Sequence, residues 1–337
     1  MDKDKVRVVI TDCDHGSIDE EKEEFERMGA ELILAQVNKE EDLIRVCKDA
    51  DGLLNQYALL TRNVFQNLPK CNVASRYGVG VDSVDLKAAT DLGVIIANVP
   101  DYCTDEVSNQ TVSMILTLVR KTAFFDQKVK TGHWDFRLGI PIYRTRGKTL
   151  GLIGSGRIGL EVAKKISSFG VKVIAFDPYL EKGPEGINLT DFDTVLKESD
   201  FISIHCPLND ATRHLIGERE FSKMGKKPII INTSRGPIID EKALIAALAE
   251  GRISGAGLDV LEKEPPDPGN PLLKMENVVF SPHVSFYSVE SISELKRRTA
   301  KNVADVLSGR WPKSVVNREV IGKTRATLPG PFPSHSS

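Results

Sequence analysis

A glycine-rich segment near the middle of the chain sets the first limit on its fold. Residues 154–159 read Gly-Ser-Gly-Arg-Ile-Gly and stand between a strand-like run at 149–153 and a helical stretch at 157–169. A G-x-G-x-x-G sequence in this setting is typical of a strand–turn–helix unit that binds a dinucleotide, because glycines let the backbone approach pyrophosphate. The N–H groups at the start of the helix attract the same anion. The alternative is a glycine-rich turn that only joins strand to helix.

An acidic residue stands where such a unit needs one. Asp177 follows the next predicted strand and lies 18 residues after Gly159. A carboxylate near this position binds the ribose hydroxyls of NAD. It would repel the 2′-phosphate of NADP, and no arginine stands directly beside it to offset that charge. The sequence therefore predicts NAD as the cofactor, bound by Gly154, Gly156, Gly159 and Asp177.

Short β-branched runs alternate with helical stretches along most of the chain. This alternation predicts parallel βαβ units, in which a helix connects each strand to the next. One series of units ends near Pro100, and a second begins at Thr149. The predicted strands are 6–10, 32–37, 52–55, 73–76, 94–98, 149–153, 172–176, 201–205, 228–232, 257–260 and 278–280.

The position of the glycine-rich turn indicates how the domains are organised. About 150 of the 337 residues precede it, so a cofactor domain in mid-chain implies a substrate domain built from both ends of the chain. We expect an α/β protein with two Rossmann-like or flavodoxin-like parallel sheets and an active cleft between them. The substrate domain takes 1–99 and 286–337, and the NAD domain takes 100–285. The proline-rich tail from about residue 323 is expected to be disordered or only loosely attached.

Charge and cysteine content exclude several classes of protein. Lys and Arg number 45 and Asp and Glu number 47, so no overall basic field would attract nucleic acid or an anionic membrane. No apolar run approaches the roughly 18–20 residues of a spanning helix, and the charged start lacks the core of a signal peptide. No C-x-x-C pair or metal-ligand histidine spacing occurs, so we predict no metal. We expect a cytoplasmic protein without nucleic-acid or membrane partners.

Three side chains beyond the carboxyl ends of later strands have the chemistry of hydride transfer to or from a hydroxy acid. Histidine is the side chain suited to proton exchange near neutral pH, so His283 could exchange the proton of a hydroxyl group. Arg235 could hold a carboxylate through two parallel hydrogen bonds, and Glu264 could stabilise a charged imidazole. Taken singly, His283 could instead be a structural histidine, and the other two could form a surface or interdomain ion pair.

From about residue 50 to about residue 312, the chain resembles the D-isomer-specific 2-hydroxyacid dehydrogenase family, the group of D-3-phosphoglycerate dehydrogenase. The likeness rests on 76–82, 154–159, 205–208 and the segments around the three side chains above. It implies an NAD-dependent oxidoreductase that interconverts a small D-2-hydroxy acid and its 2-oxo acid. Arg235, Glu264 and His283 would then be the catalytic residues.

The resemblance also implies further contacts with the cofactor. Backbone N–H groups of Arg157 and Ile158 would meet the pyrophosphate, and Pro207 would border the adenine. Thr233 would lie on the nicotinamide side, and Asp259 would meet the nicotinamide itself. The alternative for Asp259 is an ordinary carboxylate at the end of a strand.

In the substrate domain, the resemblance implies a grip on the substrate carboxylate. Val79 and Gly80 would donate backbone N–H groups to it, and Arg76 would add positive charge. The alternative for Arg76 is a structural ion pair with Asp82 or Asp85.

Other residues leave the substrate and even the class of function open. Residues 177–180 and 286–288 look most like the C-terminal-binding-protein branch of the family. That branch implies an alternative, a dinucleotide-sensing, corepressor-like binding protein with little or no turnover. A second enzymatic alternative is reduction of a bulkier or phosphorylated oxo acid.

A cluster of apolar side chains predicts self-association. A helix is expected from about 104 to 125, and the segment 132–146 after it has no helical or strand period. Exposed on a monomer, its large side chains would form a sizeable apolar patch, which a twofold partner could bury. The resemblance likewise implies a homodimer, whereas the alternative is a loop that folds back on its own domain. The side chains concerned are Trp134, Phe136, Ile140, Ile142 and Tyr143.

Overall fold

The computed structural model describes residues 5–330 and 332. Contacts divide the chain into two compact units: unit 1 combines the residues up to Tyr102 with those from Ser288 onward, and unit 2 runs Cys103–Tyr287. The sequence predicts the breaks at 99 and 285.

The strands and helices alternate along both units, as the sequence predicts. The strands are β1 Arg7–Ile10, β2 Glu31–Leu34, β3 Gly52–Asn55, β4 Val73–Arg76, β5 Ile95–Ala97, β6 Thr149–Ile153, β7 Lys172–Phe176, β8 Asn188–Leu189, β9 Phe201–Ile204, β10 Ile229–Asn232, β11 Gly255–Leu258 and β12 Val278–Phe280. The helices are α1 Asp19–Arg27, α2 Glu40–Cys47, α3 Arg62–Gln66, α4 Leu86–Asp91, α5 Thr104–Arg120, α6 Thr122–Lys130, α7 Arg157–Ser167, α8 Phe192–Glu198, α9 Glu218–Lys223, α10 Glu241–Ala249 and α11 Val289–Leu307.

Unit 1 is built on one parallel sheet with the order β2-β1-β3-β4-β5. Every residue of the central strand β3 is buried, as expected for a parallel sheet covered on both faces. Helix α11 lies against this strand so closely that a Cβ atom on Gly52 would stand 2.6 Å from Val303. The C-terminal helix therefore belongs to the core of the N-terminal sheet.

Unit 2 contains a larger parallel sheet with the order β12-β11-β10-β9-β6-β7-β8. Strand order reverses at β6, and parallel sheets bind ligands beyond the carboxyl ends of the strands at such a reversal. The glycine-rich turn follows β6 directly. The expected architecture of two parallel α/β sheets is confirmed.

Two elements of unit 2 differ from their prediction. The helix expected from 104 to 125 is interrupted at Lys121, whose φ of 54° ends α5 and lets α6 start in a new direction. Strand β11 begins at Gly255 rather than at 257. Its glycines hide a strand from a search for β-branched residues, and a Cβ atom on Gly257 would stand 3.0 Å from Met114 of α5.

The C-terminal segment is ordered further than the sequence predicts. Val316 donates a backbone hydrogen bond to Ile96 at 2.8 Å, so the segment pairs with the edge strand β5. Arg325 donates its backbone N–H to Gly93 at 2.9 Å and a guanidinium N–H to Leu68 at 2.9 Å. The disorder expected from about residue 323 is therefore wrong for 323–330, while 331 and 333–337 lie outside the described residues. Along 5–330 and 332, no helix has both the length and the apolar character to cross a membrane.

Candidate active site

The turn at Gly154–Gly159 depends on its glycines for close backbone packing. Gly154 has a φ of 90°, and a Cβ atom there would stand 2.8 Å from the backbone nitrogen of Cys206. At Gly159 a Cβ atom would stand 2.7 Å from the carbonyl oxygen of Gly154. Gly156 precedes the first residue of α7, and nothing lies within 4 Å of where its Cβ would be. Open space thus borders the positive end of α7, so the turn fits the phosphates of a dinucleotide.

Asp177 lies one residue beyond β7, where its carboxylate reaches the glycine-rich turn. It accepts hydrogen bonds from the backbone N–H of Ser155 at 2.9 Å and from the Ser155 hydroxyl at 3.2 Å. A third bond comes from the backbone N–H of Tyr179 at 3.1 Å. The sequence-predicted acid therefore stands next to the phosphate turn, at the side where the adenosine ribose of a bound NAD would lie.

The structure brings the predicted proton-transfer pair together. Nδ1 of His283 lies 2.6 Å from Oε2 of Glu264, although the two residues follow different strands. Burial would raise the pKa of the Glu264 carboxyl, but the hydrogen bond with His283 and the charges of His283 and Arg235 outweigh it and keep that pKa below its usual value. Glu264 is therefore ionised at neutral pH. Because Nδ1 is engaged, Nε2 is the ring nitrogen that remains to meet a substrate oxygen.

Asp259 braces the loop that carries His283. Its side chain is only 3% exposed. One carboxylate oxygen accepts from the Ser281 hydroxyl and from the backbone N–H of Val284 at 3.0 Å, and the other accepts from the backbone N–H of Ser285 at 3.1 Å. The backbone N–H of His283 also donates to the Asp259 carbonyl at 2.8 Å. The predicted contact of Asp259 with nicotinamide stays a prediction, whereas its hold on the histidine loop is direct.

Arg235 stands in a turn that follows β10 and packs against the loop of Glu264. Its carbonyl accepts from the Asn232 amide at 2.9 Å, which fixes the turn. A Cβ atom on Gly236 would overlap the carbonyl group of Leu261, so only glycine allows the two loops to touch. This contact sets the spacing between the segments that carry Arg235 and Glu264.

The remaining cofactor candidates line the same edge of the sheet. Thr233 follows β10, and its hydroxyl lies 3.0 Å from the hydroxyl of Thr111 on α5. Pro207 is exposed just beyond β9. Arg157 and Ile158 are the first two residues of α7, so their N–H groups are among those that a helix leaves unpaired.

The predicted substrate residues lie in unit 1, at the carboxyl end of β4. Nε of Arg76 donates to the Gln56 carbonyl at 3.3 Å, and the guanidinium occupies the space above Gly78 that a Cβ atom would fill. The Asn98 amide donates to the carbonyl of Val79 at 2.6 Å, which fixes the Val79–Gly80 backbone. Gly78 is thus needed for the position of Arg76, a requirement that the sequence alone does not reveal.

Sequence reasoning missed a second histidine–carboxylate pair at this edge of unit 2. Nε2 of His214 lies 2.6 Å from Oε1 of Glu262, and 48 residues separate the two in sequence. No local pattern marks such a pair, since His214 lies ten residues beyond the end of β9. Over the part of the chain that the structure describes, no group of three or more His, Cys, Asp or Glu side chains is arranged to hold a metal ion.

Comparisons with known proteins agree with this geometry. The family model described as D-isomer specific 2-hydroxyacid dehydrogenase, NAD binding domain, matches residues 112–285. A glyoxylate reductase from Thermofilum pendens is 41% identical over 293 residues, which are 83% of this chain and 85% of that protein. A D-3-phosphoglycerate dehydrogenase from Methanocaldococcus jannaschii is 38% identical over 332 residues, which are 95% of this chain and 62% of that protein.

A solved structure shows the same fold with the cofactor bound. The structure of D-lactate dehydrogenase with NAD⁺ from Lactobacillus jensenii matches with a TM-score of 0.74 and 29% identity, covering 92% of this chain and 99% of that one. The likeness of 177–180 and 286–288 to the C-terminal-binding-protein branch stays a prediction. The chain belongs to the D-isomer-specific 2-hydroxyacid dehydrogenase family and is an NAD-binding oxidoreductase.

Proposed function

We propose that the protein reduces a small 2-oxo acid to the D-2-hydroxy acid with NADH, and catalyses the reverse oxidation. The observation that carries this proposal is the 2.6 Å contact between His283 and Glu264 at the sheet edge that also holds the glycine-rich turn. Hydride transfer to a carbonyl carbon leaves an oxyanion that must take up a proton. A histidine that keeps one ring nitrogen for this oxygen, with an ionised carboxylate on the other, is suited to that task.

In the reductive direction, His283 gives its Nε2 proton to the carbonyl oxygen of the substrate. Bound NADH supplies the hydride, so the protein has to orient the substrate and move one proton. Glu264 stabilises the charged ring before the transfer and holds the tautomer afterwards. In the oxidative direction, the neutral ring takes the hydroxyl proton from the substrate.

Arg235 supplies the positive charge that holds the acid. Its planar guanidinium matches a carboxylate through two parallel hydrogen bonds and polarises the neighbouring carbonyl. We assign Val79, Gly80 and Arg76 to recognition of the substrate as well.

The names of two relatives indicate which acids to test as substrates. One relative is named for glyoxylate and another for D-3-phosphoglycerate. The test is to mix purified protein and NADH with glyoxylate, pyruvate, hydroxypyruvate and 3-phosphohydroxypyruvate and to follow loss of NADH absorbance. The proposal expects turnover with at least one of these acids. Binding of NADH without turnover of any of them would favour the corepressor-like alternative and contradict the proposal.

We also propose that the protein is a homodimer formed through the arm 132–146 of unit 2. Trp134 is 88% exposed and Phe136 is 75% exposed, which is unusual for large apolar side chains on a free surface. The same arm contributes Pro141 and Tyr143 to the lining of a cavity of about 670 Å³. Light scattering at micromolar concentration checks this, because a mass near 37 kDa would mean a monomer and twice that a dimer.

A further inference from the structure

The pair His214–Glu262 has no role in the chemistry described above. His214 lies on the connection between β9 and α9, and Glu262 lies on the loop after β11, two residues before Glu264. The two side chains meet at 2.6 Å. A contact between these two connections ties the adenine side of the sheet edge to the loop that carries the catalytic carboxylate.

The turn that carries Arg235 lies between the two connections. On one side, the backbone N–H of His214 donates to the carbonyl of Pro237 at 2.8 Å, and Ile216 donates to Ile238 at 3.1 Å. On the other side, Gly236 touches the backbone of the Glu262 loop: a Cβ atom there would stand 2.5 Å from the Glu262 nitrogen. The His214–Glu262 bond therefore closes across the Gly236–Pro237 turn.

A second contact, on the side of α10, also holds the Glu262 loop. The backbone N–H of Glu262 donates to Glu241 at 3.3 Å, and Glu241 also accepts from the Asn270 amide at 2.8 Å. Within the loop, the Leu261 N–H donates to Glu264 at 3.1 Å. Glu241 holds the loop at the start of α10, while His214 holds it across the Arg235 turn.

We propose that His214 and Glu262 are positioning residues that keep Arg235 and Glu264 in register with each other. This rests on the proposed function, because register matters only if the two side chains act on one substrate. The His214 side chain is 47% exposed and that of Glu262 is 32% exposed. Exposed pairs of this kind add little to folding stability, so loss of this bond should affect the two loops and the rate rather than the melting temperature.

The test uses two substitutions at one site. His214→Ala removes the contact and is expected to lower kcat/KM for the oxo acid about tenfold, because a displacement near 1 Å costs up to about 10² in rate. The dissociation constant of NADH and the melting temperature should stay within error of the wild type. His214→Gln keeps a donor for Glu262 and should recover most of the lost rate.

A matched control and a second readout separate this role from a general structural one. Glu218→Gln weakens the exposed Arg252–Glu218 pair, which also spans 2.6 Å in unit 2, and should leave kcat/KM unchanged. Hydrogen–deuterium exchange reports the loops without any substrate: His214→Ala should speed exchange at the amides of Gly236 and 261–264, and His214→Gln should not.

The outcomes keep the two proposals apart. A wild-type protein that reduces no oxo acid contradicts the proposed function, and the exchange measurement then still decides whether His214 holds the loops. If the amides of Gly236 and 261–264 exchange at the wild-type rate in His214→Ala, the positioning role is overturned. The positioning role is also overturned if His214→Gln restores neither the rate nor the slow exchange, because a hydrogen-bond donor for Glu262 would then not be sufficient.

Discussion

Two histidine–glutamate pairs share one loop of this protein, and their contacts are alike. His283–Glu264 and His214–Glu262 both span 2.6 Å, and both histidines have left-handed backbones, with φ of 50° and 52°. They differ in what surrounds them. Asp259 fixes the loop of His283, and the charge of Arg235 acts on Glu264, whereas the other pair bridges two connections at the rim. In the proposed mechanism, it is therefore the surroundings of the His283–Glu264 pair, and not its contact distance, that distinguish it from the other pair.

A third histidine at the same edge, His205, has a hydroxyl instead of a carboxylate as its partner, and its pKa is lowered. His205 follows β9, and its Nε2 lies 2.8 Å from the Ser203 hydroxyl. Burial lowers the pKa of His205 to about 4. This ring is neutral at neutral pH and supports the glycine-rich turn, since its Cδ2 lies near Gly159. His205 therefore differs from the proposed proton-transferring residue His283, whose ring has a carboxylate partner.

Replacing the glutamate of each pair by glutamine should give the largest difference in kcat between the two pairs. Glu264→Gln keeps a hydrogen bond to His283 but removes the charge that stabilises the protonated ring, so kcat should fall about 10²-fold, within the usual share of acid–base catalysis. Glu262→Gln keeps an acceptor for His214, whose role needs only the contact, so kcat should fall less than about threefold. Steady-state kinetics on both variants checks this, and equal losses would break the comparison.

Acid stability distinguishes the half-buried His205 from the paired histidines. Its pKa is about 4 in the folded protein against 6.5 for an exposed ring, so below pH 6.5 the unfolded chain binds a proton that the folded one does not. The folded state thus loses stability as pH falls from 6.5 towards 4, by about 2 kcal/mol at pH 5. Urea unfolding at pH 7 and pH 5 should show this loss in the wild type. In His205→Gln it should be smaller by that amount; an equal loss in both would refute the assignment.

The carboxylate of Asp177 accepts hydrogen bonds from the glycine-rich turn rather than from a histidine. Its replacement should change the preference between NADH and NADPH. Asp177→Asn removes the charge that repels the 2′-phosphate, so the ratio of kcat/KM for NADH over NADPH should fall about tenfold from a wild-type preference for NADH. Asn keeps an acceptor for Ser155, whereas Asp177→Ala should also weaken NADH binding. Equal use of both cofactors by the wild type would contradict the role given to Asp177.

The sequence predicts those parts of the site whose signal is local. The glycine spacing at 154–159, the acid at Asp177 and the reactive side chains beyond strand ends are all visible along the chain. Their assembly follows from one rule, that the carboxyl ends of parallel strands share an edge. The 2.6 Å contact of His283 with Glu264 agrees with that rule.

Other features depend on contacts that no local pattern encodes. Gly236 is required because a distant loop passes over it, and Gly78 is required because Arg76 folds back above it. The pairing of 316 with β5, which orders the C-terminal segment, likewise needs a partner more than two hundred residues away. The break at Lys121 follows from a backbone conformation that sequence periodicity does not report.

The most direct test of the account is a single turnover in the presence and absence of His283. Enzyme with bound NADH is mixed rapidly with the preferred oxo acid, and NADH absorbance is followed in the wild type, His283→Ala and the surface control Glu218→Gln. We predict equal NADH affinity in all three proteins and a rate about 10²–10⁴ slower in His283→Ala only. Hydride transfer at the wild-type rate in His283→Ala would contradict the account, because another group would then supply the proton.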